Sequence, residues 1–135
     1  MLMIGLDTGF FVQLLKKEKR AVAIWTSLLD GEEKAVASSL TLFEIERLAL
    51  KGKIDRASVN TLLEAIPAVC SLGWLNDVAT LSQAAKLSHG LGIPAVDAMI
   101  LAGFVEFNVE KIYTTDSHID QYKKKGVRVI NLAKD

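Results

Sequence analysis

The sequence predicts an α/β fold, a three-layer sandwich in which a central parallel sheet of four to five strands is covered by helices on both faces. Short apolar runs alternate with helix-forming segments along the chain. The connections between these runs are long enough for the crossovers that parallel strands require. The first run, Met1–Leu6, stops at Asp7, so an acidic side chain is expected at the carboxyl edge of the sheet, where open α/β sheets bind ligands.

The first half of the chain shows two strand–helix units and a further helix. Asp30-Gly31 is a typical helix stop, Asp55 is a typical N-cap, and Pro67 is expected to end the helix that Asp55 begins. The predicted strands are Met1–Leu6 and Lys34–Ser39, and the predicted helices are Gly9–Leu15, Ala21–Leu29, Leu40–Lys51 and Asp55–Ala65.

The second half repeats the alternation. A short extended segment is expected at Ala68–Leu72, and strands are expected at Lys111–Thr115 and Val127–Ile130. Three helices are predicted between and after them: one from Asn76 or Asp77 to about Ser88 with Gly90 after it, one from Ala95 to about Phe107 with Pro94 in its first turn, and a short one through Tyr122 to Lys125.

Composition excludes several classes of protein. The 135 residues carry 16 basic and 16 acidic side chains, which argues against a protein that coats nucleic acid by bulk charge but permits a local basic patch. Cys70 is the only cysteine, so neither an intramolecular disulfide nor a cysteine-based zinc site is expected. The apolar start lacks a positive region and contains Asp7, and no run is long enough to span a membrane. These features favour a cytoplasmic protein.

Two carboxylate side chains lie within largely apolar segments of the sequence. Asp97 is the only charged residue between Ile93 and Val105, and a buried carboxylate must find a partner or line a cavity. The alternative is that Asp97 only favours a helix N-terminus. Glu44 shares a polar stripe with Thr41, Arg47 and Lys51 on a largely apolar helix, where the alternative is a solvent-facing pair with Arg47.

Asp7 and Asp116 each end a predicted strand and precede a helix. Either could be a simple N-cap. Together with Glu44 and Asp97, they could converge at one edge of the sheet, and four carboxylates in one pocket repel each other strongly unless protons or cations are bound. An all-oxygen ligand set favours Mg²⁺ or Mn²⁺ over zinc, and these ions accompany phosphate chemistry.

At these residues the chain resembles the PIN-domain nucleases, especially the VapC-type toxins of toxin–antitoxin pairs. The resemblance covers nearly the whole chain and depends on the order and spacing of four segments: Leu6-Asp7-Thr8, Ser39–Ile45, Val96–Ala102 and Thr114-Thr115-Asp116. It implies a single PIN-like domain over residues 1–135 and a metal site of Asp7, Glu44, Asp97 and Asp116, with Thr114 orienting the pocket through its hydroxyl. One departure is Ile119, preceded by His118, where many relatives carry an aromatic residue.

The resemblance also implies an activity and partners. The expected reaction is Mg²⁺- or Mn²⁺-dependent hydrolysis of RNA that leaves a 5′ phosphate, and the expected partners are an RNA substrate, a VapB-like antitoxin and a second copy of the chain. The apolar content of Phe10-Phe11-Val12, Trp25 and the helix from Asp55 allows such interfaces. Candidate phosphate contacts are Lys16, Lys17, Lys19, Arg20, Arg47, Lys51 and Lys123-Lys124-Lys125.

Other functions remain as alternatives to a nuclease. Asp7-Thr8-Gly9 matches the triplet of aspartic proteases, but those proteins are all-β and place the triplet between strands. A receiver domain would need adjacent acidic residues after its first strand, whereas Leu6-Asp7-Thr8 supplies one. The stronger alternative is a PIN-like module that binds RNA or protein without cutting.

Overall fold

The computed structural model describes residues 2–134, and a five-stranded sheet forms its centre. The strands are β1 (Met3–Leu6), β2 (Lys34–Ser38), β3 (Ser71–Gly73), β4 (Lys111–Thr114) and β5 (Arg128–Asn131). The helices are α1 (Thr8–Leu15), α2 (Lys19–Leu29), α3 (Ser39–Leu50), α4 (Arg56–Val69), α5 (Val78–Leu91) and α6 (Ala95–Glu106). This architecture confirms the predicted α/β sandwich.

The sheet is parallel throughout, in the order β3-β2-β1-β4-β5. Strand β1 therefore lies at its centre, with Leu6 opposite Ala37 of β2 and Tyr113 of β4. Because the strands are parallel, the residues that follow them meet at one edge. Asp7 follows β1 at this carboxyl edge, and Thr114 is the last residue of β4.

Alternate residues of the central strands face two separate cores. Ala35 and Ala37 pack with helices α1 to α4, whereas Val36 between them packs with α5 and α6. Buried residues on both faces of a strand are typical of a sheet covered on both sides. Phe10 and Phe11 are fully buried in the first core, so they do not supply the apolar surface that the sequence suggested. Among the helices of residues 2–134, none combines the length and apolar character needed to cross a membrane.

Three predicted element ends were wrong. Helix α4 continues through Pro67 to Val69, because Ile66 is buried in the core and Cys70 N donates to its carbonyl oxygen at 2.8 Å. Helix α5 continues past Gly90 and ends at Gly92, whose φ of 67° lies in the left-handed region that favours glycine. The expected helix to Lys125 is only a 3₁₀ turn at Ile119–Gln121.

Candidate functional site

Asp7 occupies the junction between β1 and α1. It caps α1, because its Oδ1 accepts a hydrogen bond from Phe10 N at 3.0 Å. Its Oδ2 accepts a hydrogen bond from the Thr114 hydroxyl of the neighbouring strand β4. Only 7% of Asp7 is exposed, and this burial raises its pKa to about 6 although both hydrogen bonds act to lower it. Asp7 therefore caps α1 and has a pKa that burial raises above its ordinary value.

Thr114 joins two of the predicted acidic residues. Its hydroxyl donates to Asp7 and accepts a hydrogen bond from Asp116 N at 2.9 Å. A hydroxyl can do both because it has one donor and two acceptor lone pairs. Thr114 is fully buried, so its side chain is fixed by its surroundings. The structure thus places Thr114 between Asp7 and the backbone of Asp116.

Glu44 is held by the first turn of α1. Thr8 Oγ1 donates to Glu44 Oε1 at 2.6 Å and lies 3.0 Å from the hydroxyl of Thr41. The sequence alternative, a pair between Glu44 and Arg47, is not formed; the Arg47 guanidinium instead lies 5.9 Å from the centre of the Phe43 ring. Helix α3 therefore presents Glu44 toward the start of α1.

Asp97 lies in the first turn of α6 and faces Asp116. Burial, a hydrogen bond between the two carboxyl groups, and the charges of Asp116, Glu44 and Asp7 raise the pKa of Asp97 to about 7. A raised pKa is the expected result when carboxylates share a pocket. The charges of Asp116, Glu44 and Asp7 therefore all act to raise the pKa of Asp97, after the larger effect of burial.

Asp116 is the acid that keeps its charge. Burial acts to raise its pKa, but hydrogen bonds from Asp97 and from His118 outweigh burial and hold the pKa below its usual range. His118 N donates to Asp116 Oδ1 at 2.7 Å, and His118 Nδ1 lies 2.9 Å from the same oxygen. The contact between the two carboxyl groups thus acts in opposite directions, since it raises the pKa of Asp97 and lowers that of Asp116.

The chemistry of this pocket fits a hard divalent cation. Its donors are oxygen atoms of carboxylates and hydroxyls, and the raised pKa values of Asp7 and Asp97 show that positive charge is in short supply. Across residues 2–134, however, no three His, Cys, Asp or Glu side chains are grouped so that they could hold a metal ion. The donors are thus of the kind that a hard cation prefers, although within residues 2–134 they are not arranged as a preformed metal cage.

The wall of the pocket between α1 and the end of β4 is tightly packed. A Cβ atom placed on Gly9 would lie 2.0 Å from Thr115 Oγ1, 3.0 Å from Thr115 Cβ and 3.1 Å from Thr115 N. Real side-chain atoms do not approach this closely, so only glycine permits α1 to begin here. Gly9 therefore fixes the distance between the segments that carry Asp7 and Asp116.

The basic residues proposed as phosphate contacts do not lie together. Lys124 and Lys125 line a cavity with Asn108 and Glu110, which precede β4. This places the lysine run at the amino edge of the sheet, opposite the acidic pocket. Arg20 donates to the backbone carbonyl oxygens of Leu132 and Lys134, so its guanidinium has a structural role.

Three polar residues around the acids were given no role from the sequence. Thr8 donates to Glu44, and the Thr41 hydroxyl lies within hydrogen-bond distance of Thr8, because α1 and α3 pack together, which no local pattern reveals. Only their positions in the sequence could have identified them: Thr8 follows Asp7, and Thr41 shares the polar stripe of Glu44. His118 was expected at the surface, and although exposed it contacts Asp116.

Residues 4–125 match the family model of the PIN domain. A comparison with curated protein sequences gives no significant match.

Solved structures share the fold at low identity. VapBC2 from Rickettsia felis, bound to a promoter DNA fragment, has a TM-score of 0.73 and 15% identity over 96% of this chain and 98% of that chain. VapBC-1 from nontypeable Haemophilus influenzae has a TM-score of 0.72 and 16% identity over 98% and 100%. A toxin–antitoxin complex from Klebsiella pneumoniae has a TM-score of 0.69 and 18% identity over 92% and 94%.

Proposed function

The chain belongs to the PIN domain family, and from this membership and its acidic pocket we propose that it is a ribonuclease that depends on Mg²⁺ or Mn²⁺. The observation that best supports the proposal is the pKa of Asp97, which burial and then the neighbouring Asp116, Glu44 and Asp7 raise to about 7. Carboxylates that repel one another in a shared pocket are relieved by cations, and hard cations pair with phosphate oxygens. RNA phosphodiesters are the substrate we infer.

Asp7, Glu44, Asp97 and Asp116 would hold the cation. When bound, it would neutralise charge on the scissile phosphate and make a water molecule more acidic. The protein's own groups prepare this site. Thr114 orients Asp7, Thr8 orients Glu44, and His118 orients Asp116, each through a hydrogen bond to a carboxylate oxygen.

Partners are proposed from the relatives and from the surface. The solved relatives are VapBC and toxin–antitoxin complexes, so we propose that this chain is the toxin of such a pair and acts in the cytoplasm. The apolar groove lined by Leu14, Trp25 and Leu62 would hold a segment of the antitoxin. Trp74, Val78 and Leu81 are exposed, and they would form the contact with a second copy of the chain.

The test of the activity is RNA cleavage by the purified chain, freed of any partner. We expect cleavage with Mn²⁺ or Mg²⁺, none with EDTA, and products that carry a 5′ phosphate. Asp97→Asn should lower the rate by at least about 100-fold, the scale on which loss of electrostatic stabilisation acts. Asp55→Asn is the matched control, because Asp55 is likewise an aspartate at the start of a helix but lies on the surface. Absence of metal-dependent cleavage by the parent chain would refute the proposed ribonuclease activity.

One observation favours a second function. The described residues contain no preformed group of three metal ligands, which is what a PIN-fold module that binds RNA or protein without cutting would show. The same assay separates the two functions. A non-cutting module would bind RNA or its protein partner and would release no product with either metal.

A further inference from the structure

The segment that follows strand β5 is fixed beside the end of β4. Asn131, the last residue of β5, is paired with Thr114 in the parallel register of the two strands, and Leu132 N donates to the carbonyl oxygen of Thr114 at 2.7 Å. The hydroxyl of the same Thr114 bonds to Asp7 and to the backbone of Asp116. The end of β5 is therefore adjacent to the residue that joins these two acids.

A side-chain hydrogen bond connects β5 to the turn that follows Asp116. Asn131 Nδ2 donates to Asp120 Oδ2 at 2.8 Å, and Asp120 lies in the 3₁₀ turn that begins at Ile119. This turn is bonded back to Asp116, because Ile119 N donates to the Asp116 carbonyl oxygen at 3.2 Å. Lys134 Nζ also lies 2.9 Å from Asp120 Oδ2. The Asp120 carboxylate thus bonds to two residues at the end of the chain.

The segment after β5 is itself held in place. The Arg20 guanidinium of α2 donates to the carbonyl oxygens of Leu132 and Lys134 at 2.7 and 3.0 Å, and Leu132 is buried in the first core. Asn131 Oδ1 accepts a hydrogen bond from Ala133 N at 2.8 Å. Because the amide oxygen is used within the segment, the amide nitrogen is left to donate to the 3₁₀ turn.

We propose that Asn131 and Asp120 are positioning residues of the acidic pocket, which hold the loop of Asp116 in place. Asp116 lies on a short loop between the end of β4 and the 3₁₀ turn. Thr114 fixes the first end of this loop, and the bond between Asn131 and Asp120 fixes the second. A metal ligand needs such support from the residues around it. This inference rests on the proposed function, because Asp116 is one of the acids that would hold the cation.

A purely structural alternative gives the second anchor to Ile119 alone. Ile119 is buried in the core of α5 and α6, and on this alternative the bond from Asn131 to Asp120 is a surface contact without effect on Asp116. Burial acts to raise the pKa of Asp120, but hydrogen bonds from Asn131 and Lys134 outweigh burial and hold the pKa below its ordinary value. The bonds thus favour the charged carboxylate, as charge-assisted hydrogen bonds do.

The first experiment measures hydrogen–deuterium exchange of the full chain in EDTA by mass spectrometry. In Asn131→Ala, the peptide that contains residues 115–119 should exchange about 5-fold faster than in the parent, the effect of one lost hydrogen bond. Asp55→Ala is the matched control, because it also removes a side-chain hydrogen bond, from Ser58 N at 2.9 Å, at a helix that carries none of the four acids. This control should leave the exchange of residues 115–119 unchanged.

Reversal of the hydrogen bond supplies a rescue. Asn131→Asp places two carboxylates opposite each other and should also speed the exchange of residues 115–119. When Asp120→Asn is added, the asparagine at position 120 can donate to the aspartate at position 131, and the net charge equals that of the parent. Exchange in this double variant should return to the parent's rate.

The second measurement concerns the cation. Asn131→Ala should bind Mn²⁺ about 10-fold more weakly than the parent, as measured by the electron paramagnetic resonance of the free ion, since residues that support metal ligands act on this scale. In RNA cleavage with Mn²⁺ the same variant should have a lower kcat and an unchanged KM. The double variant should restore both Mn²⁺ affinity and kcat.

Unchanged exchange of residues 115–119 in Asn131→Ala would overturn the proposal. An equal increase in Asp55→Ala would do the same, as would failure of the double variant to restore the parent's rate. Faster exchange without any loss of Mn²⁺ affinity, in a parent that binds Mn²⁺, would show that the loop moves without consequence for the site. A parent that neither binds Mn²⁺ nor cleaves RNA refutes the proposed function alone, because exchange still decides whether the pair fixes the loop. Circular dichroism establishes that each variant is folded.

Discussion

At the scale of single residues, the acids of the pocket differ in the interactions that set their pKa values. Asp7 is buried and raised in pKa to about 6, while Asp116 is stabilised as an anion by Asp97 and His118. The pKa of Asp97 is raised to about 7, first by burial and then by the neighbouring Asp116. Neighbouring acids whose pKa values differ clearly from one another are typical of functional sites. The pocket therefore stores unfavourable interactions that bound positive charge would release.

The burial of Asp7 predicts how the stability of the metal-free protein depends on pH. Asp7 has a pKa of about 6 in the folded chain and an ordinary value of 3.8, so between these values the folded state keeps a proton that the unfolded state has lost. The free energy of unfolding should therefore fall as the pH rises from about 4 to about 7. Urea unfolding in EDTA across this range measures the slope.

Asp7→Asn tests the origin of that slope. Asparagine still caps a helix and can bond to the Thr114 hydroxyl, but it carries no charge to bury. At pH 7 the metal-free variant should be more stable than the parent by about 1–3 kcal/mol, and added Mn²⁺ should stabilise it less than the parent. A loss of stability that is the same at low and neutral pH would contradict this prediction and would make Asp7 a structural cap.

At the scale of helices and strands, local patterns were sufficient for the sheet but not for all element ends. The alternation of apolar runs and helices was sufficient to predict a parallel sheet covered by helices, since the rules for crossover connections admit few arrangements. Pro67 was taken to end a helix, because the sequence does not show that Ile66 is buried and keeps the last turn in place. The carboxylates could be singled out by their apolar neighbours. The bond from Thr8 to Glu44 could not, because it depends on how α1 and α3 pack.

The start of α1 provides a prediction about packing. Gly9→Ala should destabilise the protein by about 1–3 kcal/mol, because the new methyl group overpacks against Thr115. Gly103→Ala in α6 is the matched control: an added Cβ there meets nothing within 4 Å, so the change should be neutral or stabilising by up to about 1 kcal/mol. Thermal or urea unfolding measures both. Similar effects of the two substitutions would show that helix propensity, and not contact with Thr115, decides the result.

At the scale of the whole molecule, acidic and basic side chains lie at opposite edges of the sheet although their numbers are equal. Asp7 and Asp116 follow β1 and β4 at the carboxyl edge, whereas Lys34, Lys111 and Arg128 begin three of the five strands at the opposite edge. The lysine run 123–125 lies on that opposite side as well. The lysine run is therefore placed for general attraction of a polyanion, and not for contact with the acids.

Replacement of Lys123, Lys124 and Lys125 by serine should accordingly leave the maximal rate of RNA cleavage unchanged. A modest rise in KM at low salt is expected, because long-range attraction is weakened, and this rise should vanish at physiological salt. Steady-state kinetics at two salt concentrations measure it. A loss of maximal rate in this variant would show that the lysine run contacts the reacting phosphate.

The hydrogen bond between Asp7 and Thr114 joins residues 107 positions apart. During synthesis Asp7, Glu44 and Asp97 leave the ribosome well before Asp116, and β4 can insert beside β1 only once most of the chain has emerged. A nascent chain that stops short of β4 would carry three of the acids without the pocket. The topology therefore delays formation of the acidic pocket until β4 has been made and has paired with β1.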